Sequence, residues 1–342
     1  MIMIINIFVK NYLDLDKLSL LNNNYYHLKQ CENLDMNKKK KLLLSSIAVI
    51  VLGLTACQSS TMRVTTDSQT VVVPKSPKKV VVMNYGALDT LDALGKGSIV
   101  AATPLSVIPS YLQQFNHASL SDTGNMKEPN IEVIKKVKPD LIVIDGRQAS
   151  KTEELSKIAP VINLSVDAKN YVESVKNHIQ VLANITGSES KANEIIQSLD
   201  KKIKDAQSVA QASPKKAIVT IHNDGKMILI NSSSSAALIH DVLNVKRAVP
   251  LTIMPAQSKL GKPAPVFIDD NYIKSVKPDI VFIVDRSKAI GNQGMVEHYF
   301  SPKVLNKSKT KVVYLTPDLW YLSGGGAESI NLQIDEVTNA LK

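Results

Sequence analysis

Short, unbroken runs of β-branched and aliphatic residues alternate along this chain with stretches of helical period, and the order recurs. Lys79-Val80-Val81-Val82-Met83 predicts a strand, and Ala87 to Leu94 predicts the helix after it. The segment Ile134-Lys135-Lys136-Val137-Lys138-Pro139-Asp140-Leu141-Ile142-Val143-Ile144 is echoed 139 residues later by Ile273-Lys274-Ser275-Val276-Lys277-Pro278-Asp279-Ile280-Val281-Phe282-Ile283. Each copy reads as the end of an amphipathic helix, a Lys-Pro-Asp turn and a buried parallel strand, and each leads into an arginine, Arg147 or Arg286. Lys216 to Ile221 predicts a further strand and Ala236 to Leu243 its helix. Strands alternating with helices in both halves predict an α/β fold of two doubly wound, Rossmann-like lobes.

Between the halves, Ile195, Leu199, Ile203, Ala206 and Ala210 recur at spacings of three and four in an otherwise polar stretch, bounded by Gly187 and by Ser213-Pro214. One helix of that length spans about 35 Å, the width of a domain, and would be a rigid strut between the lobes. Ligands of open α/β sheets sit beyond the carboxyl ends of the strands. The loops that carry Arg147 and Arg286 are therefore expected to face one shared cleft.

The beginning of the chain follows another pattern. Lys38 to Lys41 precede the apolar run Leu42 to Leu54 and the motif Leu54-Thr55-Ala56-Cys57. A basic segment, a short apolar run and small residues before a cysteine predict an export signal and a lipobox, with Cys57 lipidated and becoming the first residue after cleavage. The run is shorter than the ~20 apolar residues of a permanent membrane span. Residues 1–35 are expected to be a spurious upstream extension, 36–56 the signal peptide and 57–70 a polar tether. Residues 71–187 are expected to be the first lobe, 188–213 the linking helix and 214–342 the second lobe.

Composition narrows the chemistry. The chain carries 41 Lys+Arg against 31 Asp+Glu, but removing residues 1–56 leaves +7, and no nucleic-acid partner is read from it. Cys31 falls in the upstream extension and Cys57 would carry lipid, so the folded part has no thiol for catalysis, a disulfide or zinc. The six histidines (His27, His117, His178, His222, His240 and His298) form no i, i+3 or i, i+4 pair. Ser323-Gly324-Gly325-Gly326 lacks the phosphate-loop spacing and reads as a flexible turn into the last helix. Neither a Gly-x-Ser-x-Gly elbow nor a dinucleotide fingerprint is present, so no enzyme and no intrinsic cofactor are expected.

Lipobox, paired lobes and a single linking helix, together with Glu128-Pro129-Asn130-Ile131-Glu132, Gly146-Arg147-Gln148, Ile239-His240-Asp241-Val242-Leu243, Val284-Asp285-Arg286 and Trp320-Tyr321-Leu322-Ser323-Gly324, make the chain resemble the class III substrate-binding lipoproteins of ABC importers. Within them it looks most like the ferric-siderophore group. The resemblance implies a monomeric, exported protein, anchored by lipid at a membrane and facing the periplasm, or the outer face of the cytoplasmic membrane in a Gram-positive host. It also implies that the protein hands its ligand to a permease and its ATPase.

That group holds an anionic ferric chelate with cleft arginines, and Arg147 and Arg286 match them. Arginine is permanently charged, planar and able to stack, which suits catecholate and carboxylate chelates better than lysine does. With only four arginines in the chain, two at equivalent strand ends carry weight. By the same resemblance Tyr321 is an iron-contact candidate, while a third family arginine is replaced by Ser235 and a partner histidine by Lys259-Leu260-Gly261-Lys262. Trp320, Tyr85, Lys127, Asn223 and His222 are further candidates for the cleft wall. Glu132 and Asp270 (or Asp269) are expected to dock on permease arginines. Haem or cobalamin capture by the same fold is the alternative, with Tyr321 or His222 as a haem ligand.

Overall fold

The structure is a computed structural model that describes residues 60–66, 69–251, 264–292 and 299–342. The export signal, Cys31, Cys57 and Lys259-Leu260-Gly261-Lys262 lie outside the described residues. The described strands are β1 Thr61–Thr65, β2 Thr70–Pro74, β3 Val80–Val82, β4 Val100–Thr103, β5 Ser121–Asp122, β6 Leu141–Ile144, β7 Val161–Asn163, β8 Lys216–Asn223, β9 Lys226–Leu229, β10 Lys246–Arg247, β11 Ile280–Asp285 and β12 Lys311–Leu315. The helices that position the site are α1 Tyr85–Ala93, α2 Ile131–Val137, α3 Tyr171–Thr186, α4 Glu189–Ala212, α5 Asp270–Val276, α6 Arg286–Ala289, α7 Pro317–Tyr321 and α8 Ser329–Leu341.

Two sheets result. The first runs β5-β4-β3-β6-β7 with every pair parallel, and the second runs β10-β8-β11-β12 in parallel, with β9 added antiparallel to β8. The repeat read from sequence is a repeat in space. Helices α2 and α5 have seven residues each and end in left-handed lysines, Lys138 (φ 51°) and Lys277 (φ 49°). The next proline stops each helix, and each aspartate then ties down the start of the neighbouring parallel strand, β3 or β8. Asp140 accepts from the Lys78 and Lys79 amides at 2.7 and 3.1 Å, and Asp279 from the Lys216 amide at 2.7 Å. Strands β6 and β11 follow, and every residue in them is buried.

Helix α4 packs its Ala192, Leu199, Ile203, Ala206 and Ala210 face inward, as the three-four spacing requires. It runs two residues beyond Ala210, and α3 before it ends at left-handed Gly187. The helix expected from Ala236 starts at Ser234 and is wound more widely over Ala237–Val242.

The strut is not the lobes' sole connection. Asp89, in the first lobe and fully buried, accepts from Tyr111 Oη (3.0 Å) and from the Glu328 and Ser329 amides (3.2 and 3.1 Å), so it caps α8 from the other half of the chain. The turn at Gly324 to Gly326 is closely packed against the first lobe. Gly324 and Gly325 have φ of +91° and +74°, and a Cβ on Gly326 would collide with Asp89 and the Gly86 carbonyl.

Candidate functional site

Arg147 and Arg286 come from opposite lobes and meet on one residue. Asp145, at the end of β6, caps the turn Gly146–Lys151, accepting from the Arg147 amide at 2.6 Å, and its own amide donates to Gln148 Oε1 at 2.9 Å. This box holds the Arg147 guanidinium so that Nη1 donates to Asp145 Oδ2 at 2.6 Å and Nη2 to the Tyr321 carbonyl at 2.6 Å. Arg286, the first residue of α6, donates from Nε to Tyr321 Oη at 2.8 Å and from Nη1 to Asn223 Oδ1. The Tyr321 ring lies within cation–π range of both, 5.8 Å from the Arg147 guanidinium and 5.5 Å from that of Arg286.

Two cavities open beside this cluster, one of about 280 Å³ bordered by Lys127, Arg147, Arg286 and Tyr321, the other of about 360 Å³ bordered by Asp145, Arg147, Ser165, Ser235 and Trp320. Among the described residues the charges bordering the smaller cavity are three cations, one of them, Arg147, backed by Asp145, and cations beside a tyrosine face suit an anionic aromatic ligand held by charge and stacking. Among the described residues, no three His, Cys, Asp or Glu side chains gather as metal ligands.

The other candidates take different places. Lys127 is exposed at the rim of the smaller cavity. Trp320 is 5% exposed, and its indole N–H donates to Glu336 Oε2 at 2.8 Å. Asn223 reaches the site only as the acceptor for Arg286. Tyr85 is a correction: α1 begins at Tyr85, directly after its Asn84 cap, and its side chain is buried in the core with Oη donating to the Pro104 carbonyl at 2.8 Å. Burial and the nearby Asp122 carboxylate push its phenol pKa up.

His222 is corrected too, because β8 extends through Asn223 and pairs His222 with Asp285 across the sheet. Its ring is buried, with Nδ1 3.0 Å from Asp285 Oδ1. Asp145, Ser165, Met126 and Leu322 border the cavities without having been singled out in the sequence; only Asp145 left a trace there, as an acid two residues before a cleft arginine.

The docking candidates sit at matched helix starts. Glu132 is exposed and pairs with Lys135 at 2.8 Å, which holds its carboxyl below the usual range. The equivalent Asn271 accepts from Lys274 at 3.2 Å. Beside it, Asp269 caps α5, accepting from the Tyr272 amide at 2.8 Å, and Asp270 accepts from the Ser301 amide at 3.0 Å.

A family model described as "Periplasmic binding protein" matches residues 80–319, which spans both sheets, the strut and both arginines. The chain belongs to the periplasmic binding protein family. Proteins of this family bind substrates and are not enzymes. This periplasmic binding protein is 35% identical to the petrobactin-binding protein YclQ of Bacillus subtilis, over 90% of its own length and 100% of that protein's. It is 28% identical to the ferric-anguibactin-binding protein FatB of Vibrio anguillarum, over 78% and 83% of the two chains.

Among solved structures, YclQ superposes with a TM-score of 0.73 over 83% of this chain and 99% of that one. The siderophore-binding protein BauB, bound to two molecules of acinetobactin with ferric iron, superposes with a TM-score of 0.72 at 26% identity, over 83% and 99%.

Proposed function

We propose that this protein captures an anionic ferric siderophore of catecholate or carboxylate type between its lobes and delivers it to an ABC importer permease and its ATPase. The convergence of Arg147 and Arg286 on Tyr321, beside a cavity bordered by a third cation and, among the described residues, no acid, carries this reading. The names of YclQ, FatB and BauB support it. Arg147, Arg286 and Lys127 supply charge, and Tyr321 supplies a face to stack on and, for a chelate that leaves iron undersaturated, a hydroxyl. Asn223 orients Arg286, and Trp320 reports on the neighbouring cavity.

The same proposal places a lipid on Cys57, makes the protein a monomer tethered at the membrane surface, and assigns Glu132 and Asp270 to permease contact. Titrating ferric and iron-free catecholates and hydroxycarboxylates against the fluorescence of Trp320, the single tryptophan, tests ligand capture. Saturable quenching by ferric chelates only is expected. A Soret band with haemin and no response to ferric chelates overturns it. Cys57→Ala is expected to abolish acyl labelling, and retained labelling overturns the anchor.

A further inference from the structure

The Arg147 side chain, bonded to the Tyr321 carbonyl, stands between the two cavities, which lie over different parts of the first sheet. The smaller one is bordered by residues that follow β4 and β5, among them Ser106 and Asn125, and its charges are Lys127, Arg147 and Arg286. The larger one is bordered by Ser165 and Val166, which follow β7 at the opposite edge, and its charges among the described residues are Arg147 and Asp145, paired with each other at 2.6 Å. Across from these stand Ser234 and Ser235 of the second lobe, whose hydroxyls have no hydrogen-bond partner among the described residues.

We infer that the larger cavity is a subsite for an uncharged or cationic hydrogen-bonding arm of the ligand, an amide- or amine-bearing segment, while the anionic iron-chelating end occupies the smaller one. This deepens the siderophore reading and rests on it. An anionic oxygen donor is charge-matched in the smaller cavity by Lys127 and Arg286, whereas among the described residues of the larger one it meets only the Arg147–Asp145 pair. The pairing also responds to the ligand. An anion that draws Arg147 Nη1 toward itself leaves the Asp145 carboxylate, 15% exposed, without its counter-charge. A donor or cation at the ligand's other end restores the balance, and serine hydroxyls, which both donate and accept, complete the fit to amides and amines. The ligand assigned here therefore differs in charge between its two ends.

Two probes test this by Trp320 quenching: Fe(III) held by two catechols on a linker containing a secondary amine, and Fe(III) held by three free catechols. Ser235→Arg is expected to weaken the amine-linked complex at least tenfold and to tighten the tris-catecholate severalfold. Ser234→Arg, at an exposed position, is expected to shift both in the same directions, and Asp145→Asn, which removes the counter-charge of Arg147, to weaken the amine-linked complex and tighten the tris-catecholate. Equal shifts for the two probes, or none in any variant, overturn the subsite. Arg286→Ala weakening both probes while Ser235→Arg changes neither leaves the siderophore reading standing and removes this one. Failure of the native protein to bind either probe removes the siderophore reading itself.

Discussion

The two halves of the repeat keep the same helix, turn and strand, yet they surround their arginines differently. In the first half the capping aspartate, Asp145, stands two residues before Arg147 and reaches both its amide and its guanidinium. In the second half Asp285 directly precedes Arg286 and turns elsewhere, to His222 at 3.0 Å and the Lys288 amide at 3.1 Å. Among the described residues Arg286 has neutral partners, Asn223 and the Tyr321 hydroxyl. A one-residue difference in where the cap falls decides which arginine carries its own counter-charge. The first half supplies a cation that a ligand must recruit, and the second supplies one already free to attract it.

The sharpest way to break this comparison is to remove each arginine in turn. Arg286→Ala is expected to cost about 2–4 kcal/mol of affinity for a ferric catecholate, and Arg147→Ala about 1–2, because Asp145 already offsets part of the second charge. Equal losses in fluorescence titrations overturn the asymmetry.

The halves also differ in how their buried titratable groups respond to pH. Asp89 is pushed up to about 6 by burial, against the pull of Ser329, the Glu328 amide and Tyr111. Its ordinary value is near 3.8, so the folded state holds a proton there that the unfolded chain has lost, and its contribution falls as pH rises from about 4 to about 6. His240, in the second lobe, is pushed down to about 4 by burial, although it bonds the Val245 carbonyl at 2.8 Å. Its ordinary value is near 6.5, so its contribution is intact above that pH and is lost as pH falls toward about 4.

Each effect is limited to about 3 kcal/mol, and the two oppose each other over the shared window. Urea unfolding between pH 4 and 7 is expected to show Asp89→Asn losing stability on acidification more steeply than the native protein, and His240→Gln less steeply. Parallel curves for all three proteins overturn this account.

The smallest effect sharpens the comparison at Tyr321. Tyr321→Phe removes the acceptor for Arg286 Nε but leaves the carbonyl that holds Arg147, so about 1 kcal/mol of chelate affinity is expected to go. Calorimetry of the Tyr321→Phe and Arg286→Ala variants and their combination measures it, and full additivity shows that the hydroxyl does not act through Arg286.

Much of this was legible in sequence because it depends on neighbours along the chain. The 139-residue repeat, the Lys-Pro-Asp stops and the buried strands follow from local period and backbone preference. Tyr85 and His222 were misplaced because a helix began two residues early and a strand ran two residues long. Such boundary shifts turn a side chain from a loop into the core. The roles of Asp89 and Glu336 left no local signal at all, since their partners lie elsewhere in the chain. Asp89 caps a helix more than two hundred residues away, and Glu336 takes the Trp320 indole from one turn of structure to another.

By itself, the order of residues determined two lobes, a strut between them and an arginine at the end of a matched strand in each, since periodicity and turn chemistry act over a few residues. Which arginine is neutralised, that both reach a single tyrosine, and that the cleft has a cationic end and a serine-lined end were decided only by tertiary structure. Those properties depend on distances between groups far apart in sequence and on their burial, and electrostatic balance is set by both.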